Sequence, residues 1–220
     1  VILQSGSRHY FFVIIIVACI SLAARAQEVE LNDQALKMMD QGKYQEALSI
    51  FNKLVYNDSL STIYRYNRAV TFTNLNQLQN AINDYLFIVK YMPNEAEYHF
   101  QLGDLFERTG NVTNAEIYYA NAIRLEKENF HYFFKRGTFY LKRNSFALAI
   151  KDFDESINLN PEHHSSYHNR GIARYKVGLK ELACGDWCQA LLKGSPNSAT
   201  HLDRNCERYP KPCMLTEKNE

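Results

Sequence analysis

The chain has 220 residues, of which 46% are hydrophobic, 13% aromatic and 22% charged. That composition belongs to a folded protein, not a disordered or fibrous one, and the length holds one ordinary domain or one repeat array rather than a large multidomain enzyme. Lys and Arg total 25 against 24 Asp and Glu, so no global basic field points to nucleic acid and no acidic block makes a solvating tail.

Residues 11–18 form a dense apolar run with Arg8 before it and Ala24-Arg25-Ala26 after it. Small residues thus occupy the two positions a signal peptidase reads. This is the layout of a secretory signal peptide over 1–26, cut between Ala26 and Gln27. The apolar stretch is shorter than the roughly 18 residues a spanning helix needs. Two other readings stand beside it. Uncleaved, the segment would be a short membrane anchor. Alternatively Ile16-Val17-Ala18-Cys19 forms a lipobox, and Cys19 would carry lipid. Membrane attachment is expected only in those two cases; otherwise the protein is expected to be exported, periplasmic or secreted.

Beyond the leader a period of 34 runs through the chain. Ala47, Ala81, Ala115, Ala149 and Ala183 follow it without a miss, and Phe51, Tyr85, Tyr119, Phe153 and Trp187 form an aromatic row in the same phase. Gly42, Asn76, Gly110, Asn144 and Gly178 form a third row, and Ala35, Ala69, Gly103, Gly137 and Gly171 a fourth. Gly and Asn tolerate the left-handed conformation that ends a helix, so the third row marks a turn between two helices. Small residues on either side let those helices approach closely. The aromatic row lies four residues beyond an Ala row, on one helical face, and fills the layer between neighbours. Pro93 and Pro161 share a row at unit ends, where a helix stops.

The pattern resembles the tetratricopeptide repeat, as in Gly42-Lys43-Tyr44 followed by Ala47 and Phe51. It covers residues 27–195 as five repeats: 28–61, 62–95, 96–129, 130–163 and 164–195. The first copy departs most, with Leu31 where the family often has Trp and Ser59 where Pro is usual. The resemblance implies an all-α, right-handed solenoid of helix-turn-helix units, closed by a cap and tail over 196–220.

Arg68, Arg136 and Arg170 share a row in repeats two, four and five, and Asp84, Asp152 and Asp186 share another in the same three repeats. Arg is absent from its row wherever Asp is absent from the other. The co-occurrence predicts three intra-repeat ion pairs, Arg68–Asp84, Arg136–Asp152 and Arg170–Asp186, with Arg engaging the carboxylate through two parallel hydrogen bonds. The rival is that these charges bind ligand.

In the family the first helices of successive repeats line a concave groove. By repeat phase this implies a partner-binding set of Tyr66, Val70, Phe100, Asp104, Arg108, Phe134, Lys142, His168 and Tyr175, with Tyr66, Phe100, Phe134 and Tyr175 as aromatic anchors for a peptide. The competing expectation is that these rings pack between helices. The family's two-carboxylate clamp for a chaperone tail needs Lys and Asn in the first repeat. Here Asn32 and Leu36 stand there, so the clamp is not expected.

Four cysteines, 184, 188, 206 and 213, fall in the last 40 residues. A chain passing a secretory leader reaches an oxidising compartment. Ser195-Pro196 opens a short amphipathic segment with Ala199, Leu202 and Cys206 on one face, suited to cover the last hydrophobic layer of a solenoid. The Ala183-Cys184-x-Asp186-Trp187 stretch with a late Cys resembles the tails of small exported bacterial tetratricopeptide proteins. We expect Cys184–Cys206 and Cys188–Cys213, one of three possible connectivities. A zinc site or redox pair is the alternative, though no Cys-x-x-Cys occurs.

His163, His164 and His168 cluster at the start of repeat five, with His131 one repeat earlier. His164 and His168 share a helix face on which a soft divalent metal could bind, but an ordinary helix start is expected and no metal or other cofactor is assigned. No phosphate-cradling Gly loop, His-Glu-x-x-His or Gly-x-Ser-x-Gly appears. Basic residues interleave with aromatics nowhere in a run, so nucleic acid is not an expected partner. Asn57-Asp58-Ser59 and Asn111-Val112-Thr113 fit the glycan acceptor pattern. The expectation is a non-catalytic scaffold for a protein or peptide partner. The alternatives are a structural subunit using its outer faces and a metal-binding protein using the repeat-five histidines.

Overall fold

The computed structural model describes residues 22, 25–206 and 213. Arg8, the apolar run 11–18 and Cys19, on which the leader readings rest, lie outside the described residues. The described residues form helices α1 (25–40), α2 (Tyr44–Asn57), α3 (Thr62–Asn74), α4 (Leu78–Tyr91), α5 (Ala96–Arg108), α6 (Val112–Leu125), α7 (Phe130–Lys142), α8 (Phe146–Leu159), α9 (His164–Lys176), α10 (Lys180–Leu192) and α11 (Asn197–Asn205), with no strand among them. The chain divides into two units, Val1–Pro93 and Asn94–Glu220.

Within each unit the helices come in antiparallel pairs, and the row of Gly and Asn makes every turn inside a pair. Asn76 and Asn144 have φ of 58° and 59°, the left-handed region that a side chain adopts at some cost and Asn tolerates best. The amide after each of these residues bonds back across the helix end, Gln77 to the Phe72 carbonyl and Ser145 to the Tyr140 carbonyl, at 2.8 and 3.0 Å. These are Schellman closures, which satisfy carbonyls the helix would leave open.

The first unit holds α1 to α4. Its first core cluster is Ala35, Ala47, Ile50, Phe51 and Leu54, with Leu31, Leu36, Met39 and Tyr64 against it. Ser61 caps α3 by accepting from the Tyr64 amide.

The second unit holds α5 to α11. Tyr119, Phe153 and Trp187 are each at most 1% exposed, and burying such a ring contributes about 2–3 kcal/mol. Each ring lies against the glycine sixteen residues earlier. A Cβ built on Gly103, Gly137 or Gly171 would fall 2.7, 2.9 or 2.6 Å from Tyr119, Phe153 or Trp187. The small row and the aromatic row are therefore one contact, repeated. Helix α11 packs on α10, with Leu202 fully buried. Disulfides Cys184–Cys206 and Cys188–Cys213 tie α10 to the cap. Pro196 stands just before α11 as its N-cap rather than in its first turn. Among the described residues no helix is long and apolar enough to cross a membrane.

Candidate functional site

The Arg and Asp rows meet inside the three pairs that carry them, α3/α4, α7/α8 and α9/α10. In the first unit Arg68 donates from Nε and Nη2 to the two Asp84 oxygens at 2.8 and 2.7 Å. In the second, Arg136 donates to Asp152 at 2.8 and 2.8 Å, and Arg170 to Asp186 at 3.0 and 2.6 Å. The aspartates are buried, and each joins a second helix to the first helix of its own pair. Periodicity alone missed further partners. Arg65 also reaches Asp84 at 3.0 Å, Arg174 reaches Asp186 at 2.8 Å, and Arg170 reaches Asp154 at 2.6 Å. Arg65 and Arg174 lie three residues before and four after the row arginines, on the same helical face, so that spacing was the available signal. Burial pushes the Asp186 carboxyl up against the pull of Arg170 and Arg174. Burial would lower the Arg170 guanidinium, but its hydrogen bonds to Asp186 and Asp154 carry it up. These groups pair with one another inside the helix pairs.

Of the residues expected to bind a partner, Tyr66 and Val70 lie in the first unit and are half-buried, with Tyr66 edge-on to Tyr85 at 6.1 Å. The other seven lie in the second unit. Phe100 must be corrected. It is 7% exposed and packed by Tyr119, His131 and Tyr132 at 5.9, 5.4 and 4.9 Å, so it is a core ring and not an open anchor. Its row places it against both its own second helix and the next first helix, and large rings on α6 and α7 close over it. Phe134 is half-buried between Phe153 at 6.1 Å and His163 at 4.6 Å. Asp104 takes Arg108 at 3.8 Å, and Lys142 takes Glu107 at 2.8 Å. Glu107 also accepts from the Tyr119 phenol at 2.9 Å, and burial together with that carboxylate pushes the phenol far above its usual range.

His168 and Tyr175 belong to the cap junction. His168 Nδ1 meets Ser198 Oγ at 2.8 Å, and its carbonyl accepts from the Trp187 indole. His201 stacks on Trp187 at 4.8 Å and lies 5.2 Å from His168. Tyr175 packs on the same indole at 5.7 Å. His168 is therefore committed to the cap, and His164 shares its own Nδ1 with Ser165. Among the described residues no group of three or more His, Cys, Asp or Glu is placed to hold a metal ion. Burial lowers His131, His163, His168 and His201 below the usual histidine value. Lys135 adds to this at His131, His164 at His163, His201 at His168 and Arg204 at His201.

The face of α7 and α9 turned away from their second helices is partly exposed among the described residues, and Ile172 on it also packs against the cap cluster of Trp187, Cys188 and Leu202. Gly137 and Gly171 mark the side that meets Phe153 and Trp187. At 100° per residue, Lys135, Thr138 and Lys142 lie about 100–160° around α7 from Gly137, and Asn169, Ile172 and Lys176 occupy the same arc of α9. The two arcs touch where Asn169 Nδ2 donates to Thr138 Oγ1 at 3.4 Å.

The tetratricopeptide repeat family matches residues 74–129 and 134–199, together more than half of the chain. Over 113 residues the chain is 33% identical to a small glutamine-rich tetratricopeptide repeat-containing protein of Dictyostelium discoideum, covering 49% of this chain and 34% of that protein. Over 98 residues it is 32% identical to an inactive TPR repeat-containing thioredoxin of Arabidopsis thaliana, covering 42% and 14%. The chain thus spans about a third or less of the length of these relatives. Among solved structures, MamA superposes with a TM-score of 0.70 at 20% identity, covering 75% of this chain and 96% of that one. YrrB, described as a TPR protein with an unusual peptide-binding site, gives 0.67 at 15% identity, covering 79% and 90%. These likenesses establish an all-α tetratricopeptide solenoid fold.

Proposed function

The chain belongs to the tetratricopeptide repeat family, and we propose that it is a non-catalytic scaffold that holds a peptide or protein segment on the open faces of its first helices. The family fold suggests protein–protein interaction, and its members are generally not enzymes. The observation that carries the reading for this chain is the face of α7 and α9. Lys142 and Lys176 on it are exposed, Phe134, Thr138 and Asn169 are half-buried beside them, and Ile172, also half-buried, packs against the cap cluster of Trp187 and Leu202. The arginines and aspartates, in contrast, are consumed by one another. YrrB supports peptide binding by such a fold. We further propose export to an oxidising compartment. The apolar leader sequence and the two disulfides support it, since disulfides persist where thiols are not kept reduced.

One observation favours the outer surface instead. Leu148 and Leu182 share a row on the second helices and are 47% and 52% exposed. The test is capture of partners from the source cell's envelope fraction by three forms of the chain: unaltered, Phe134→Ala with Ile172→Ala, and Leu148→Ala with Leu182→Ala. Far-UV circular dichroism first establishes that all three are equally helical. A partner lost only by the Phe134/Ile172 form supports binding on the first-helix face. A partner lost only by the Leu148/Leu182 form moves the interface outward and makes the chain an assembly subunit.

A further inference from the structure

The exposed apolar side chains of the first unit gather at one end of its helices. Helices α1 to α4 alternate in direction, so the start of α1, the loop between α2 and α3, and the end of α4 form a common edge. Val29, Tyr56, Leu60, Ile63 and Tyr91 stand there, 58%, 88%, 65%, 65% and 52% exposed. Of the other large apolar residues in α1 to α4, only Leu86 is exposed. The opposite end, over 40–43 and 74–80, exposes only polar side chains and Gly42. The apolar edge is held in place. Asp58 Oδ1 accepts from the Leu60 and Ser61 amides at 3.2 and 3.1 Å. Arg65 donates to the Ser59 carbonyl at 3.1 and 2.9 Å while paired with Asp84 at 3.0 Å. The loop is thus pinned with Leu60 outward. The Tyr64 phenol is pushed up by burial and then by the charges of Glu28 and Asp58, as the start of α1 lies beside the loop.

Going beyond the scaffold reading, we propose that this edge rests on a lipid bilayer surface, with Val29, Leu60 and Ile63 among the headgroups and Tyr56 and Tyr91 at the water boundary. The segment before α1 is then a retained tether, not a leader that is cut away. The course of the chain names this occupant. The apolar run 11–18 ends seven residues before Arg25, where α1 begins at this edge. Seven residues span at most about 25 Å. An apolar run seated in a bilayer therefore holds the edge within that distance of it, and a lipid on Cys19 would hold it closer. The side chains suit a lipid interface. Tyr is favoured where an apolar body meets a wet rim. Tyr56 and Leu60 project singly around Asn57, Asp58 and Ser59, which headgroups accommodate better than the dry, close-packed centre of a protein interface. Arg25, Lys53 and Lys90 are balanced by Glu28, Glu30 and Asp58. Apolar contact rather than charge must hold the edge, so zwitterionic lipid should suffice.

The test uses the full chain reconstituted into phosphatidylcholine vesicles. A tryptophan reporter is placed on the edge as L60W, or at the polar end of α4 as Q79W, where Gln79 is exposed. Buried Trp187 gives the same background in both. Far-UV circular dichroism first establishes equal helicity. Quenching by phosphatidylcholine brominated near the headgroup then reads contact with the bilayer. L60W should be quenched severalfold more than Q79W, and adding Y56S and I63S should cut that quenching severalfold, because two apolar contacts are lost. Equal quenching of L60W and Q79W would overturn the proposal, as would quenching of L60W that Y56S and I63S leave unchanged. A blue-shifted L60W emission without quenching would seat a second copy or another protein on the edge and also overturn it. Mass analysis of the chain from source-cell membranes should find residues before Gln27 retained, with lipid mass on Cys19 or with the apolar run intact. A chain beginning at Gln27 would remove the tether and sink the proposal. None of these readouts involves Phe134 or Ile172, so the scaffold reading stands or falls separately.

Discussion

Replacing Arg136 with Met keeps an aliphatic stem near the Tyr140 ring but removes both hydrogen bonds to Asp152. The Asp152 side chain is 3% exposed, and no second arginine pairs with it among the described residues. Its carboxylate is left buried and unpaired, at a cost of about 3–5 kcal/mol. The related positions provide an internal control. When Arg68 is replaced, Asp84 keeps Arg65 at 3.0 Å, and when Arg170 is replaced, Asp186 keeps Arg174 at 2.8 Å. Those losses should approach one charge-assisted contact, about 1.5–3 kcal/mol. R136M should therefore be the costliest of R68M, R136M and R170M. Adding D152L to R136M removes the buried charge and should recover most of the loss. Urea unfolding by far-UV circular dichroism reads the whole chain, and the single tryptophan, Trp187, reports the second unit. The reasoning is refuted if R136M costs no more than the other two, or if R136M/D152L costs the sum of its single substitutions.

Three further outcomes follow from the packing. Gly171→Ala places a Cβ 2.6 Å from the Trp187 indole and should cost about 1–3 kcal/mol, with a shifted tryptophan emission; an unchanged melting temperature would mean the two helices part freely. Removing the Cys184–Cys206 bond as C184S/C206S opens a loop of sequence separation 22 and should cost about 3 kcal/mol, read as a lower Tm under non-reducing conditions. The four histidines with lowered values bind protons less readily folded than unfolded, so their contribution is full above the unfolded value of 6.5 and is lost as pH falls below it. Melting should therefore be lower at pH 5.5 than at pH 7.5 (about one unit either side of the histidine range), and His168→Asn should narrow the gap. Equal melting temperatures across that range would contradict the burial assigned to these rings.

Much of this molecule is legible in its periodicity because a repeat imposes the same local problem five times. The Gly and Asn row announced the turns, since few residues accept positive φ, and Asn76 and Asn144 adopt it. The small and aromatic rows announced the interior of each pair, since a ring can fill a layer only where the opposite helix lacks bulk, as Trp187 does against Gly171. The Arg and Asp rows were legible because they appear and disappear together. The cysteine pairing was a choice among three from sequence, and the packing of the cap on α10 brings Cys184 to Cys206 and Cys188 to Cys213.

Repeat phase states which face of a helix a residue occupies, but not how deeply it is covered. Depth is set by side chains from other helices, and these vary between repeats. Phe100 and Phe134 share one row, yet rings from α6 and α7 bury the first while the second stays half-open. His168 shares that row too, but the cap claims it through Ser198 and His201, residues outside the periodic segment. The sequence by itself determined the helix pairs, their turns and the partners that recur in register. Only the tertiary structure decided which residues of a common row remain on the surface, because burial is a property of the neighbours a side chain meets rather than of its place in the repeat.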